Sequence, residues 1–347
     1  MTFLRGLIFA SGMLAAPTAL ACAFHTYVPQ PTLVDRLLNS EHVVLARNSE
    51  TELFRYRALE AIKGQTEEVS IPALVDTVSR RKLSADRTAR VLFARDGAYG
   101  PWQRLAYVDA GFQPVLDAIV ERLPEWELGD DAGRYQFFAG LLNHPHPYIH
   151  ILALRELDQA DYSALRQLEL DIPMERLAAR LNDPAEFHLK PIRILLLGLA
   201  GREALRPALE KGVASSLRVG GGVLGAYATA YLETHGAAGV NAISEQYLRD
   251  EQVSLEAREL LLEALAIHSA SGAPQTASAV QQGVAEALRR DPTLAPGVAR
   301  HFGVRADWSF EAPMTDILDA EALTSVGDLL VVTQYVALAS QGQSDAD

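Results

Sequence analysis

Two groups of residues have the types and spacing to hold a metal ion. The first is Cys22-Ala23-Phe24-His25. If processing leaves Cys22 as the first residue, its α-amine, its thiolate and the His25 imidazole make a donor set suited to Cu(I) or Zn(II). An α-amine titrates at about 7.7 and a thiol at about 8.5, so a bound metal would displace both protons near neutrality. The second group is His144, His146 and His150, spaced H-x-H-x3-H. Two histidines one residue apart can share zinc or copper. Pro145 and Pro147 argue for another role, because they fix a loop that leads into a helix, where a turn histidine serves as a cap without metal. No Cys, Asp or Glu stands beside the three histidines in sequence to complete a shell.

Other motifs carry less chemistry. Gly220 to Gly225 spells G-x-G-x-x-G, but Ser215-Ser216-Leu217-Arg218 before it is too polar for the buried strand that a dinucleotide site needs. Those glycines are expected to end one helix and let the next pack closely. Ser79-Arg80-Arg81-Lys82 contains S-x-x-K, with neither S-D-N nor K-T-G after it. Its flanks read as a solvated loop. With Arg87 and Arg90 it forms the one local cationic patch in the sequence. There is no G-x-S-x-G, H-E-x-x-H or P-loop. The expectation is a non-enzymatic protein. A hydrolase whose histidine and carboxylates meet only in space ranks third, after the metal-handling alternative built on Cys22 and His25.

The elements around these residues begin with an address. Residues 1–21 combine Arg5, an apolar run Leu7–Ala16 and the small-residue end Ala19-Leu20-Ala21, the pattern of a cleaved signal peptide. Cleavage after Ala21 leaves Cys22 first, whereas cleavage after Ala23 discards it. Ala19-Leu20-Ala21-Cys22 also partly matches a lipobox, which would make Cys22 the lipidated start of an outer-membrane lipoprotein. The expected location is periplasmic or secreted, with membrane contact only through lipidation. The apolar run is too short to span about 30 Å of hydrocarbon, and no later stretch does so. The chain has 347 residues, 49% of them hydrophobic, and a net charge of −13. An acidic chain lacks the positive field that phosphate backbones require, so nucleic acid is excluded as a partner. A single cysteine excludes an intramolecular disulfide.

The mature chain divides by texture, with a boundary expected near residue 110. Strands are expected at His42–Arg47, Leu53–Ile62, Val69–Pro72, Arg90–Arg95 and Trp102–Val108, separated by turns such as Lys63-Gly64 and Asp96-Gly97. Five short strands suggest a small closed barrel. The order of a mature-start cysteine, a VVLAR strand, F-x-Y-x-A-L-x-A-I-K-G and R-V-L-F resembles the netrin-like domain of tissue inhibitors of metalloproteinases. That resemblance implies a five-stranded OB-like β-barrel over residues 22–110. In that family disulfides pin the start of the chain, which Cys22 alone cannot do here.

From residue 111 to 347 the sequence turns Leu- and Ala-rich with helical spacing. Apolar helical segments recur at Tyr148–Leu157, Ile192–Gly201, Val223–Leu232, Leu255–Ile267 and Asp328–Ala339, with amphipathic helices between them. Asn143 to Leu157 resembles the turn and second helix of a HEAT-type repeat, with His146 where that repeat carries a capping Asp. The resemblance implies a HEAT-like α-solenoid over residues 111–347. The whole is therefore expected to be an α+β multidomain protein of the bacterial envelope. Solenoids present an extended surface and OB barrels bind along one face, so an adaptor for an envelope protein partner is expected.

Overall fold

The computed structural model describes residues 29–344, apart from residues 53, 66–68, 98 and 219. The signal segment 1–21 and the Cys22/His25 pair lie outside the described residues. The protein is α+β, predominantly helical, with one small antiparallel sheet.

Helix α1 (Leu33–Asn39) starts at Thr32, which accepts the Asp35 N–H while Asp35 accepts the Thr32 N–H in a reciprocal cap. Strands β1 (His42–Asn48) and β2 (Tyr56–Lys63) follow, then helix α2 (Thr77–Ala85) and strands β3 (Arg90–Arg95) and β4 (Gln103–Val108). The sheet order is β2-β1-β3-β4, antiparallel throughout. Gly64, at a positive φ of 78°, makes the turn that ends β2.

The closed barrel is not formed. Four of the five expected strands are present, but Val69–Pro72 is not a strand, and Leu74 contributes only an isolated bridge to Arg55. The sheet stays open, with β2 and β4 at its edges. The reason lies in the central strands. Val43-Val44-Leu45-Ala46 and Val91-Leu92-Phe93-Ala94 are buried at every position, so both faces of the sheet need a cover. A small barrel buries only one. Val44, Ala46, Tyr56, Val91 and Phe93 form one apolar cluster with Leu83 of α2. Val43, Leu45, Leu92 and Ala94 face the opposite way, toward α1 and the helical region. Continuous rather than alternating hydrophobicity is the sequence mark of a doubly covered strand.

Ser79-Arg80-Arg81-Lys82 is likewise not a loop. It lies within α2, which Asp76 caps by accepting the Ser79 N–H at 2.7 Å, and which buries Ser79 and Leu83.

The helical region comprises α3 (Gln113–Glu127), α4 (Asp131–Ala139), α5 (Pro147–Leu157), α6 (Tyr162–Leu165), α7 (Met174–Ala179), α8 (Lys190–Leu199), α9 (Arg206–Ser216), α10 (Gly221–Ile243), α11 (Leu255–Ser271), α12 (Pro274–Arg290), α13 (Ala295–Gly303), α14 (Glu311–Asp319) and α15 (Val326–Ser344). Pro147, Pro191, Pro207, Pro274 and Pro296 each sit in the first turn of a helix, where a missing N–H costs nothing. Four of the five apolar segments expected from the sequence fall within helices, and the fifth, Ile192–Gly201, overruns the end of α8 by two residues. Among the described residues no strand precedes Gly220: its N–H closes α9 on the Ser216 carbonyl at 2.8 Å, and α10 starts one residue later. Gly198 of α8 lies so close to α10 that a Cβ there would stand 2.6 Å from that of Ala230. One apolar cluster runs without a break from α1 and the sheet, through Val108 and Phe112, into the helices as far as Tyr335.

Candidate functional site: a cationic trough along the β4 edge

The three histidines do not converge. His146 occupies the cap position of α5, yet its side chain makes no capping bond. Pro147 behind it has no N–H to cap. Instead the His146 Nε2 meets Asp109 Oδ2 at 3.1 Å. Asp109 also accepts the N–H groups of Gly111 and Phe112, at 3.0 and 2.9 Å. Burial works to raise the Asp109 carboxyl, but the bonds from His146 and Phe112 overcome it and leave it below its ordinary value. The pair bolts the end of β4 to the start of α5. His144 accepts the His146 N–H at 3.1 Å, and buried His150 meets the Leu142 carbonyl at 2.7 Å. Among the described residues, no group of three His, Cys, Asp or Glu side chains is placed to hold a metal ion.

Ser79 is also occupied. Its hydroxyl donates to Asp76 at 3.0 Å and accepts from Arg104 at 3.0 Å. The Ser79 N–H and Arg104 pull the Asp76 carboxyl down to about 2, too weak a base to take the Ser79 proton at neutral pH.

The concave surface lies along β4. On one side of this edge strand is a cavity of about 220 Å³, walled by Thr32, Leu33 and Arg36 around α1 and by Tyr148, Ile151 and Arg155 of α5. Next to it, chiefly on the α2 side, is a cavity of about 490 Å³, walled by Asp76, Ser79 and Lys82 and reaching Ala106 and Tyr148. Both include Arg104, Leu105 and Tyr148, so they adjoin over the strand. The residues of β4 lean to alternate sides. Arg104 opposes Phe93 and turns toward α2, where Tyr107 also packs. Gln103 opposes Ala94 and accepts from Arg36, and Leu105 packs toward the helical core. A bulge between Leu92 and Phe93 puts Leu105 and Ala106 on the same side.

The walls carry four cations, Arg36, Lys82, Arg104 and Arg155, against a single carboxylate, Asp76. Among the described residues Arg104 is the only one of the four in an ion pair, with Asp76 at 2.8 Å. Lys82 sits over the Tyr107 ring at 4.9 Å, and Arg155 faces His188 Nε2 at 3.5 Å. Tyr148, at the junction of the cavities, is a neutral phenol whose titration burial pushes up to about 12.

A buried ion cluster fixes the α1 wall. Glu156, fully buried on α5, accepts Arg134 Nε at 3.1 Å and the Val34 N–H at 3.2 Å. Arg134 reaches on to Asp35 at 2.8 Å and to the Thr32 hydroxyl at 3.0 Å. One guanidinium thus ties α1, α4 and α5 together beneath the first cavity.

Two further features are structural. Tyr162 donates to Glu233 at 2.9 Å beside Arg166 and stacked His268, joining α6, α10 and α11. A third cavity, of about 390 Å³ and lined by Arg166, Asp171 and Arg202, has Arg166 committed to Glu233 and Asp171 held by Asn143 at 2.6 Å. Of the trough residues, only Lys82 belongs to the cationic run visible in the sequence. Arg36, Arg155 and Tyr148 come from distant helices, and no local pattern marks them. No protein family matches this chain, and no curated protein or solved structure shows significant similarity to it.

Proposed function

We propose that this chain is an exported, non-enzymatic binding protein of a bacterial cell envelope, and that the trough along β4 is where it holds an anionic partner. The observation that carries this reading is the charge inversion. Four cations and one carboxylate surround two adjoining cavities on a chain whose net charge is −13. Cations left without carboxylates in a concave site favour an incoming anion and steer its approach. The larger cavity, of about 490 Å³, lies in the range used for ligands.

The packing order supports a HEAT-like array as the scaffold. Helices α5, α8, α10, α11, α13 and α15 pack each against the next, while α9, α12 and α14 lie against this row. Such stacking gives a long surface on which a partner held at the trough can extend. The signal pattern of residues 1–21 supports delivery to the periplasm, with Cys22 available for lipidation to the outer membrane.

The test is the affinity of fluorescein-labelled polyglutamate at low salt, measured by anisotropy. A variant carrying Arg36→Glu, Lys82→Glu and Arg155→Glu should bind at least tenfold more weakly. A control carrying Arg289→Glu and Arg290→Glu on α12 should bind nearly as the native chain does. Equal loss in both, or no binding to the native chain, would refute the site.

A further inference from the structure

From the shape of this site we infer that its ligand is an extended acidic polypeptide segment, which adds to the sheet as a strand against the free edge of β4. The inference rests on the trough being the recognition site and specifies what fits it. Among the described residues nothing pairs with the outer side of β4. Six residues of strand present a ladder about 20 Å long at about 3.3 Å per residue. The other edge is partly closed: the bridge from Leu74 to Arg55 and the bond from Val75 N–H to the Phe54 carbonyl lie across the entry to β2.

The two cavities suit a strand better than a compact ligand. The first is walled by α1 and α5 and the second chiefly by α2, and they share Arg104 and Leu105 of β4 and Tyr148 of α5. A strand laid on that edge sends successive side chains to alternate faces. One set would enter beside Arg36 and Arg155, and the other beside Lys82 and Arg104. Acidic residues on both faces of the segment would then meet cations on both walls, while Leu105, Tyr107 and Tyr148 offer apolar surface between them. Main-chain bonds would supply affinity and the walls specificity, as in other strand additions. The bulge at Leu105 and the edge cations keep β4 from pairing with edges that lack this charge pattern.

The probe is Ac-Val-Glu-Glu-Val-Glu-Val-NH2, titrated into the full mature chain. Two N-methylated forms follow, one modified at odd positions and one at even positions. Only alternate residues of an added strand turn their N–H groups toward the neighbour. One methylated form should therefore bind at least tenfold more weakly and the other within about twofold of the parent. Because the peptide is varied, the fold of the protein is not at issue. Equal affinities for the two methylated forms would overturn strand addition. So would full displacement of the peptide by equimolar citrate, which would mark a site for small anions. If polyglutamate binds at the trough but the hexapeptide does not, strand addition fails and the anionic site stands. If neither binds, both fall.

Discussion

Replacing Glu156 by alanine removes the acceptor of three bonds in the cluster that fixes α1 over α5: Arg134 Nε, Arg134 Nη2 and the Val34 N–H. The amide left without a partner costs about 1–3 kcal/mol. Breaking a buried ion pair from one side costs about 3–5 kcal/mol, because the remaining charge is uncompensated. Asp35 stays 2.8 Å from Arg134 and offsets part of that charge, so the total should fall near the lower figure, about 3 kcal/mol. Arg134→Met should cost a similar amount, since it strands Glu156 at 0% exposure. The double variant removes both charges together, and the coupling between the two sites should be about 2 kcal/mol. Urea unfolding of the four proteins, at constant m-value, measures the cycle. If the two effects add to within about 0.5 kcal/mol, the cluster does not act as one unit and the account of the α1 wall is wrong.

Acid should act through Glu259. Its hydrogen bonds to His301 and Arg300 pull its carboxyl from 4.5 down to about 2. A depressed carboxylate contributes stability that is complete above its unfolded value and lost as pH falls through the folded one. Stability should therefore decline from about pH 4.5 toward 2, and Glu259→Gln should flatten that part of the curve in urea titrations at several pH values. Gly198→Ala, which sets a methyl against Ala230, should destabilise by about 1–3 kcal/mol despite the better helix propensity of alanine. Because one core crosses residue 110, a fragment of residues 29–110 alone should show weak near-ultraviolet dichroism and steep loss of signal in low urea. Intact mass of protein recovered from its own envelope should begin at Cys22, free or lipidated. A chain retaining Met1 would contradict export.

Four strands and the five apolar helices were legible because local pattern settles them. Val-rich runs and 3.6-residue periodicity act within a single element. The open sheet was less accessible. Its signal was present in the uninterrupted burial pattern of Val43–Ala46 and Val91–Ala94, which fits covers on two sides rather than a barrel interior. Ser79–Lys82 reads as polar loop because all four of its residues are charged or hydroxylated. Only Leu83 and the Asp76 cap reveal α2. By spacing alone the sequence pairs His146 with His144. The actual partner of His146, Asp109, lies 37 residues upstream. The trough was the least legible feature, since Arg36, Lys82, Arg104 and Arg155 are brought together by the packing of α1, α2, β4 and α5. No sequence window contains more than one of them beside another. The cationic run at Arg80 to Lys82 was the single local trace.

The central claim, that the trough is where this chain holds an acidic partner, is tested most directly by a hydrogen-exchange footprint. The full mature chain would be compared with and without saturating polyglutamate at low salt. The account predicts slowed exchange around residues 32–36, 79–82, 103–107 and 148–155, with α12 to α15 unchanged. Protection centred on those last helices, or none on β4, would contradict it.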